Sequence, residues 1–288
     1  MEVRTSATTR NVEVFPLDPP PRAPSVWVGH LISDSELCGR YWPVIHNLVT
    51  QELRVRYQRS MLGFFWTMLN PLLMLATLSW VFSSLPLGKF TSYPMFLFSG
   101  MVPWSLLSNT LSESAGCIIA NEGLIRKIYI PKLIFPISRV LINVVTLVLT
   151  LAAFLLLLAP MYAWPSLSYV MLPLAIVLFG AFSLGLGLVV ATANTFFRDC
   201  GHLVSVFLQA WYFASPILYQ ASDFSNRSQW LLRLNPAYYF IELFHVIIYQ
   251  GSFPSISAWL MAAAISLVSL VIGYVTFKSH EDKMVFRL

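Results

Sequence analysis

Glu242 and His245 stand three residues apart on one prospective helix face, the spacing at which a carboxylate and an imidazole can share a metal ion. A single such pair, with no further ligand close in sequence, reads instead as a hydrogen-bonding pair, and no metal site is assigned. Asp199 and His202 are also close together, but no third group completes a catalytic set around them. The chain carries no GxxxxGK followed by Ser or Thr, so it has no phosphate loop with which to hydrolyse ATP, and it carries no HExxH. Cys38, Cys117 and Cys200 are widely spaced and form neither a CxxC pair nor a disulfide framework. No catalytic residue and no cofactor is therefore assigned to this chain.

Charge is concentrated elsewhere. Residues 120–132 read ANEGLIRKIYIPK, with Glu122, Arg126, Lys127 and Lys132 between two apolar runs of about twenty residues each. The pattern suits a short helix capped by Asn121, with Leu124, Ile125 and Ile128 as an apolar anchor and Glu122, Arg126 and Lys127 as a polar rim. Pro131 and Pro136 stop that helix and set the entry to the next. A topology-fixing loop would carry the same cations, so the residues alone leave both readings open. The turn FFRDCGH places Arg198 beside Asp199, as a solvated pair or as a contact for a partner.

The elements that must position these groups follow from composition. Hydrophobic residues make up 57% of the 288 and charged residues 11%, against about 25% charged in soluble domains, so the chain reads as a polytopic all-α membrane protein. Six transmembrane helices are expected at about 63–85, 93–111, 133–159, 170–194, 203–219 and 256–277. Gly180, Ser183, Gly185 and Gly187 give the fourth span a small-residue face for close helix packing. Ahead of the spans, residues 41–60 form an amphipathic helix suited to the membrane interface, with Arg54, Arg56 and Arg59 on its polar side facing lipid headgroups or a partner. Residues 1–40 read as a proline-rich disordered cytoplasmic tail without a signal peptide, and 41–288 as one transmembrane domain. Between spans five and six, LNPAYYFIELFHVIIYQG is apolar but too short to cross, and reads as a re-entrant hairpin. With the N-terminus inside, all of the 18 basic residues except Lys89, Arg227 and Arg233 fall on the cytoplasmic side, which places both termini and the 120–132 segment there.

The spans hold almost no ionisable residues, which argues against an ion-coupled carrier, so energy must come from a partner. RYQRSMLGFFWTMLNPLLML, YPMFLFSGMVPWSLLSNTL, NEGLIRKIYIPKLIFPIS, FFRDCGHLV, SPILY and LNPAYY, in that order, resemble the ATP-binding-cassette type-2 permeases, most closely the permease subunits of O-antigen and related polysaccharide exporters. The resemblance runs from about Tyr41 to the C-terminus, and the family pattern often has Arg where this chain has His245. It implies a homodimeric permease in the bacterial inner membrane, working with two copies of a separate ATPase that binds ATP and Mg, on a lipid-linked glycan. It further implies that Asn121–Ile128 couple to the ATPase, joined by Arg198 and Asp199. Trp66, Phe82, Trp104, Trp211, Tyr212, Phe213 and Tyr219 would line the path, and Asn235, Pro236, Tyr238, Glu242 and His245 would form an outer gate. An exporter of a teichoic-acid-like polymer or of a small lipophilic compound is the nearest alternative. A membrane-embedded glycosyl- or acyltransferase is the alternative from another class.

Overall fold

The computed structural model describes residues 39–57, 93–128, 130–157, 166–221 and 226–284, together with 69, 73, 74, 76, 77, 80 and 287. Residues 1–38 of the expected tail, Arg59 and nearly all of the first expected span, including Trp66 and Phe82, lie outside the described residues. Every regular element among the described residues is helical. In chain order they are α1 (Trp42–Tyr57), α2 (Tyr93–Ala120), α3 (Glu122–Ile125), α4 (Ile134–Leu157), a 3-10 turn (Leu167–Met171), α5 (Leu172–Phe196), α6 (Cys200–Phe213), α7 (Asn226–Leu234), α8 (Pro236–Phe244), a π turn (His245–Tyr249) and α9 (Ile256–Met284). Among the described residues, three stretches are long and apolar enough to cross a membrane: Ile134–Phe154, Leu167–Phe196 and Ile256–Met284.

Helix α5 is the axis of the bundle, packed against α9, α2 and α4. Its glycines explain how. A Cβ on Gly185 would run into the backbone of Ser269, and one on Gly273 would strike the Gly185 carbonyl, so α5 and α9 meet backbone to backbone. On the opposite side a Cβ on Gly187 would lie 2.9 Å from Ser114 Oγ of α2. The small-residue face expected from the sequence is thus used at Gly185 and Gly187. Gly180 keeps ordinary contact with Val144, and Ser183 bonds back to the Phe179 carbonyl of its own helix. Along the α5–α9 seam, Ser266 Oγ donates to the Leu178 carbonyl at 2.8 Å and Ser269 Oγ to the Phe182 carbonyl at 2.9 Å.

Three boundaries differ from the sequence expectation for identifiable reasons. Helix α2 runs on past Leu111 to Ala120, because Glu113, which ends the hydropathy signal, finds partners inside the fold. Helix α6 stops at Phe213 rather than reaching Tyr219, and is about 21 Å long. Pro216 cannot donate a backbone hydrogen bond and disfavours helical geometry at Ser215, so the chain turns there. Helix α9 continues beyond Phe277 to Met284, its last turn carrying a Lys278–Glu281 pair at 2.9 Å.

At one end of the bundle the 3-10 turn fastens the π turn. Ser168 Oγ donates to the Ile247 carbonyl at 3.0 Å and Tyr169 Oη to the Ile248 carbonyl at 3.2 Å. These are carbonyls that the end of the helix leaves without an α-helical partner. Ser166 Oγ then holds the Gly251 carbonyl at 2.7 Å, and Gly251 takes the left-handed turn (φ +62°) that redirects the chain toward α9. At the other end, a second apolar core gathers Ile45 of α1, Cys117 and Ile118 of α2, Ile130, Ile134 and Phe135 around α4, and Phe277 and Met284 of α9.

Candidate functional site

The charged segment between α2 and α4 is built by helix termination. Asn121 lies in the turn that ends α2, and its Nδ2 donates to the Cys117 carbonyl at 2.8 Å. It makes no side-chain bond to α3, so Asn121 closes the helix before it rather than capping the one after, contrary to the sequence expectation. Leu124 and Ile125 are half-buried against the second apolar core, while Ile128 stays 42% exposed with Arg126 and Lys127 beside it. Glu122 pairs with Arg126 at 2.7 Å along the surface. What this segment offers outward is therefore Arg126, Lys127 and Ile128, rather than the full apolar anchor expected from the sequence.

The 197–199 turn presents a similar surface. Phe197, Arg198 and Asp199 are all exposed, and no ion pair joins Arg198 to Asp199 among the described residues. Asn194, which the sequence reading did not single out, sets the turn's geometry. Its Oδ1 accepts from the Gly201 N–H at 2.8 Å and its Nδ2 donates to the Ala115 carbonyl of α2 at 2.7 Å.

Helix α1 is fastened to the bundle by charge. Arg56 meets Glu113 of α2 at 2.8 Å, and the other Glu113 oxygen accepts from Asn143 Nδ2 of α4 at 3.0 Å. Glu52, one turn before Arg56, meets Arg139 of α4 at 3.2 Å. Arg54 is exposed. Of the three arginines expected to face lipid or a partner, Arg56 is committed within the chain, Arg54 is not, and Arg59 lies outside the described residues.

Among the expected conduit aromatics, the structure joins Trp104, Trp211, Tyr212 and Phe213. Trp104 of α2 meets Trp211 and Tyr212 of α6 edge-on, with ring centroids 5.7 and 5.8 Å apart. Trp104 is 6% exposed and belongs to the main core, whereas Phe213 is 65% exposed. A groove of about 470 Å³ opens between the two helices, with Ser105, Ser108 and Gln209 interspersed among Trp104, Tyr212 and Phe213.

Asn235 connects this groove to the α7–α8 pair. Its Oδ1 accepts from the Ala237 N–H at 3.0 Å, capping α8 with Pro236 at the first helical position. The same oxygen accepts the Trp211 indole N–H at 2.7 Å, and its Nδ2 donates to Ser215 Oγ at 2.9 Å. His245 forms a second connection. Buried at the start of the π turn, it stacks on Phe96 with centroids 4.3 Å apart. Its Nε2 faces the Pro216 carbonyl at 2.9 Å and must carry the proton there, while Nδ1 meets Ser99 Oγ of α2 at 2.7 Å. Both ring nitrogens are thereby committed to α2 and to the loop after α6, so the Glu242–His245 bond expected from spacing is not made. Tyr219, Tyr238, Glu242 and His245 instead line one cavity of about 330 Å³, which brings a residue expected in the conduit together with three of the five expected in the outer gate.

The chain matches the model of a family described as ABC-2 type transporter over residues 44–249. It is 31% identical over 246 residues to an O-antigen export system permease protein RfbA of Myxococcus xanthus, covering 85% of this chain and 95% of that one. It is 30% identical over 190 residues to an RfbA permease of Klebsiella pneumoniae, covering 66% and 73% respectively. A polysialic acid transport protein KpsM of Escherichia coli is 25% identical over 245 residues, covering 83% and 94%.

Proposed function

The chain belongs to the ABC-2 type transporter family, and from that premise we propose that it is the transmembrane subunit of an ATP-driven exporter of lipid-linked, O-antigen-like polysaccharide. It is a non-catalytic permease subunit, and ATP is hydrolysed by a separate ATPase. The observation that carries the reading is the alignment with O-antigen permeases along 85% of the chain, which includes both helices flanking the 121–128 segment. In our reading two copies of the chain and two of the ATPase form the working unit in a bacterial inner membrane. Each copy crosses six times with both termini cytoplasmic, and the α7–α8 pair re-enters from the outer face. ATP and Mg bind on the ATPase, whose closure displaces the exposed Arg126–Ile128 turn, with Arg198 and Asp199 as a second contact. Movement of α2 and α4 then opens a path along the α2–α6 groove.

Arg126, paired with Glu122 along the surface, and the exposed Lys127 are suited to steer and orient a partner rather than to hold the fold together. Reversing both, as Arg126→Glu with Lys127→Glu, is expected to leave membrane level and topology intact while abolishing co-purification of the ATPase and surface glycan. Normal export and normal co-purification in that double variant would reduce the segment to a topological loop.

A further inference from the structure

The 330 Å³ cavity at the α8 end has a chemistry that the α2–α6 groove lacks. Its walls come from α8, the π turn, the loop after α6 and the start of α2. Glu242 projects into it from a mostly buried position, and its carboxylate has no hydrogen-bond or ion-pair partner among the described residues. A largely desolvated carboxylate facing an open volume is a costly arrangement unless something else supplies its hydrogen bonds. Gln220 and Gln250 bring amides to the same space, and Tyr219, Tyr238 and Tyr249 bring rings, the Tyr219 hydroxyl donating to the Phe213 carbonyl at 3.1 Å. Among the described residues no Lys or Arg lines it, and the imidazole of His245 has both nitrogens engaged with Ser99 and Pro216.

That set fits one ligand class. Planar carboxylate and amide groups accept and donate in pairs, which matches adjacent hydroxyls on a ring, and tyrosine faces cover the C–H surface of that ring. The volume lies at the lower end of small-ligand pockets, enough for one or two sugar units and too little for a longer segment. With Glu242 as the carboxylate and no cation among the described lining residues, acidic sugars and phosphates are disfavoured, because a second negative charge would face Glu242. The walls are also held in advance: Asn235 fixes the start of α8, and His245 clamps the π turn to α2 and to Pro216.

We propose that this cavity is a recognition site for one or two neutral sugar units of the exported glycan, with Glu242 as the acceptor of their hydroxyls; the proposal rests on the export reading above. It adds a site that discriminates between sugars to a path that otherwise offers rings and serines.

The test uses the complete permease–ATPase complex in lipid nanodiscs and, as probe, short oligosaccharides released by mild acid from the surface glycan of the same cells. Titration is expected to show saturable binding to the wild-type complex. Glu242→Gln, which keeps the side chain's shape but loses its charge-assisted bonds, is expected to weaken binding at least about tenfold. The same oligosaccharide oxidised to its uronate is expected to compete at least about tenfold less well. Absence of saturable binding to wild type, equal binding by Glu242→Gln, or equal competition by the uronate would each overturn the proposal. The wild-type titration and the uronate competition need no variant, so a Glu242→Gln chain that fails to assemble leaves the test intact. Deleting the gene separates the two levels. Surface glycan that persists after deletion defeats the export reading, whereas glycan lost on deletion with no oligosaccharide bound defeats the sugar site alone.

Discussion

Replacing Gly273 by Ala tests the backbone contact on which the bundle is centred. The added methyl would strike the Gly185 carbonyl oxygen and lie 2.8 Å from both the Gly185 carbonyl carbon and Cα, where ordinary contact begins at 3.4 Å. Backbone cannot swing aside as a side-chain tip can, so α5 and α9 must separate along their length. Overpacking of this kind costs about 1–3 kcal/mol. Separation also strains the Ser266–Leu178 and Ser269–Phe182 bonds, each worth about 0.6 kcal/mol between membrane helices. Ala gains about 1 kcal/mol over Gly in helix propensity, which offsets part of that loss. The net expectation is destabilisation by about 1–3 kcal/mol. The control is Gly116→Ala on α2, where a Cβ meets nothing within 4 Å and only the propensity gain remains. Thermal midpoints of the two detergent-purified variants, with their membrane levels, are the measurement. Gly273→Ala should melt several degrees below wild type and Gly116→Ala at or slightly above it. Coincident midpoints for the two variants would refute the close α5–α9 crossing.

Four further substitutions follow from the same geometry. Trp104→Ala opens the core at a 6%-exposed ring and should cost about 3–5 kcal/mol, seen as a lower membrane level. Phe213→Ala, at a 65%-exposed ring, should keep the level and reduce surface glycan, and equal losses of level in both would make Phe213 scaffold rather than path. Glu113→Arg should lower the thermal midpoint by leaving Arg56 facing a like charge, and the swap Arg56→Glu with Glu113→Arg should recover more than half of that drop. Asn235→Ala removes the α8 cap and the acceptor of the Trp211 indole together, for a loss of about 2–4 kcal/mol in the same melt.

The all-helical class and the close-packing face of α5 were legible in the sequence, because long apolar runs and glycines at helical spacing act through composition and local geometry. Polar residues whose partners lie far along the chain were not legible. Asn194, Asn235 and His245 each tie together elements well separated in sequence, and nothing in their local spacing announces it. Glu242 and His245 show the converse, since correct helical proximity suggested a bond that the tertiary partners Ser99 and Pro216 pre-empt. Hydropathy ended the second span at Leu111 because it scores Glu113 as a cost, while the fold supplies Arg56 and Asn143 to accept that carboxylate. Arg56 itself belongs to a face that the sequence assigned to headgroups or to a partner protein, and only the position of α2 reveals its bond within the chain.

The fastening of α1 sets an order of events during biosynthesis. Helix α1 leaves the ribosome first, but Glu113, the partner of Arg56, lies 57 residues further along, and Arg139, the partner of Glu52, later still. At ordinary rates of translation that is a delay of roughly 3 to 11 s, during which Glu52 and Arg56 are unpaired. For that interval α1 has only its amphipathic surface with which to rest at the membrane, and its final seat does not exist until α4 has been inserted. Helix α1 is therefore locked only after α2 and α4 have followed it, and a chain truncated before Arg139 keeps the Arg56–Glu113 pair but lacks the Glu52–Arg139 one.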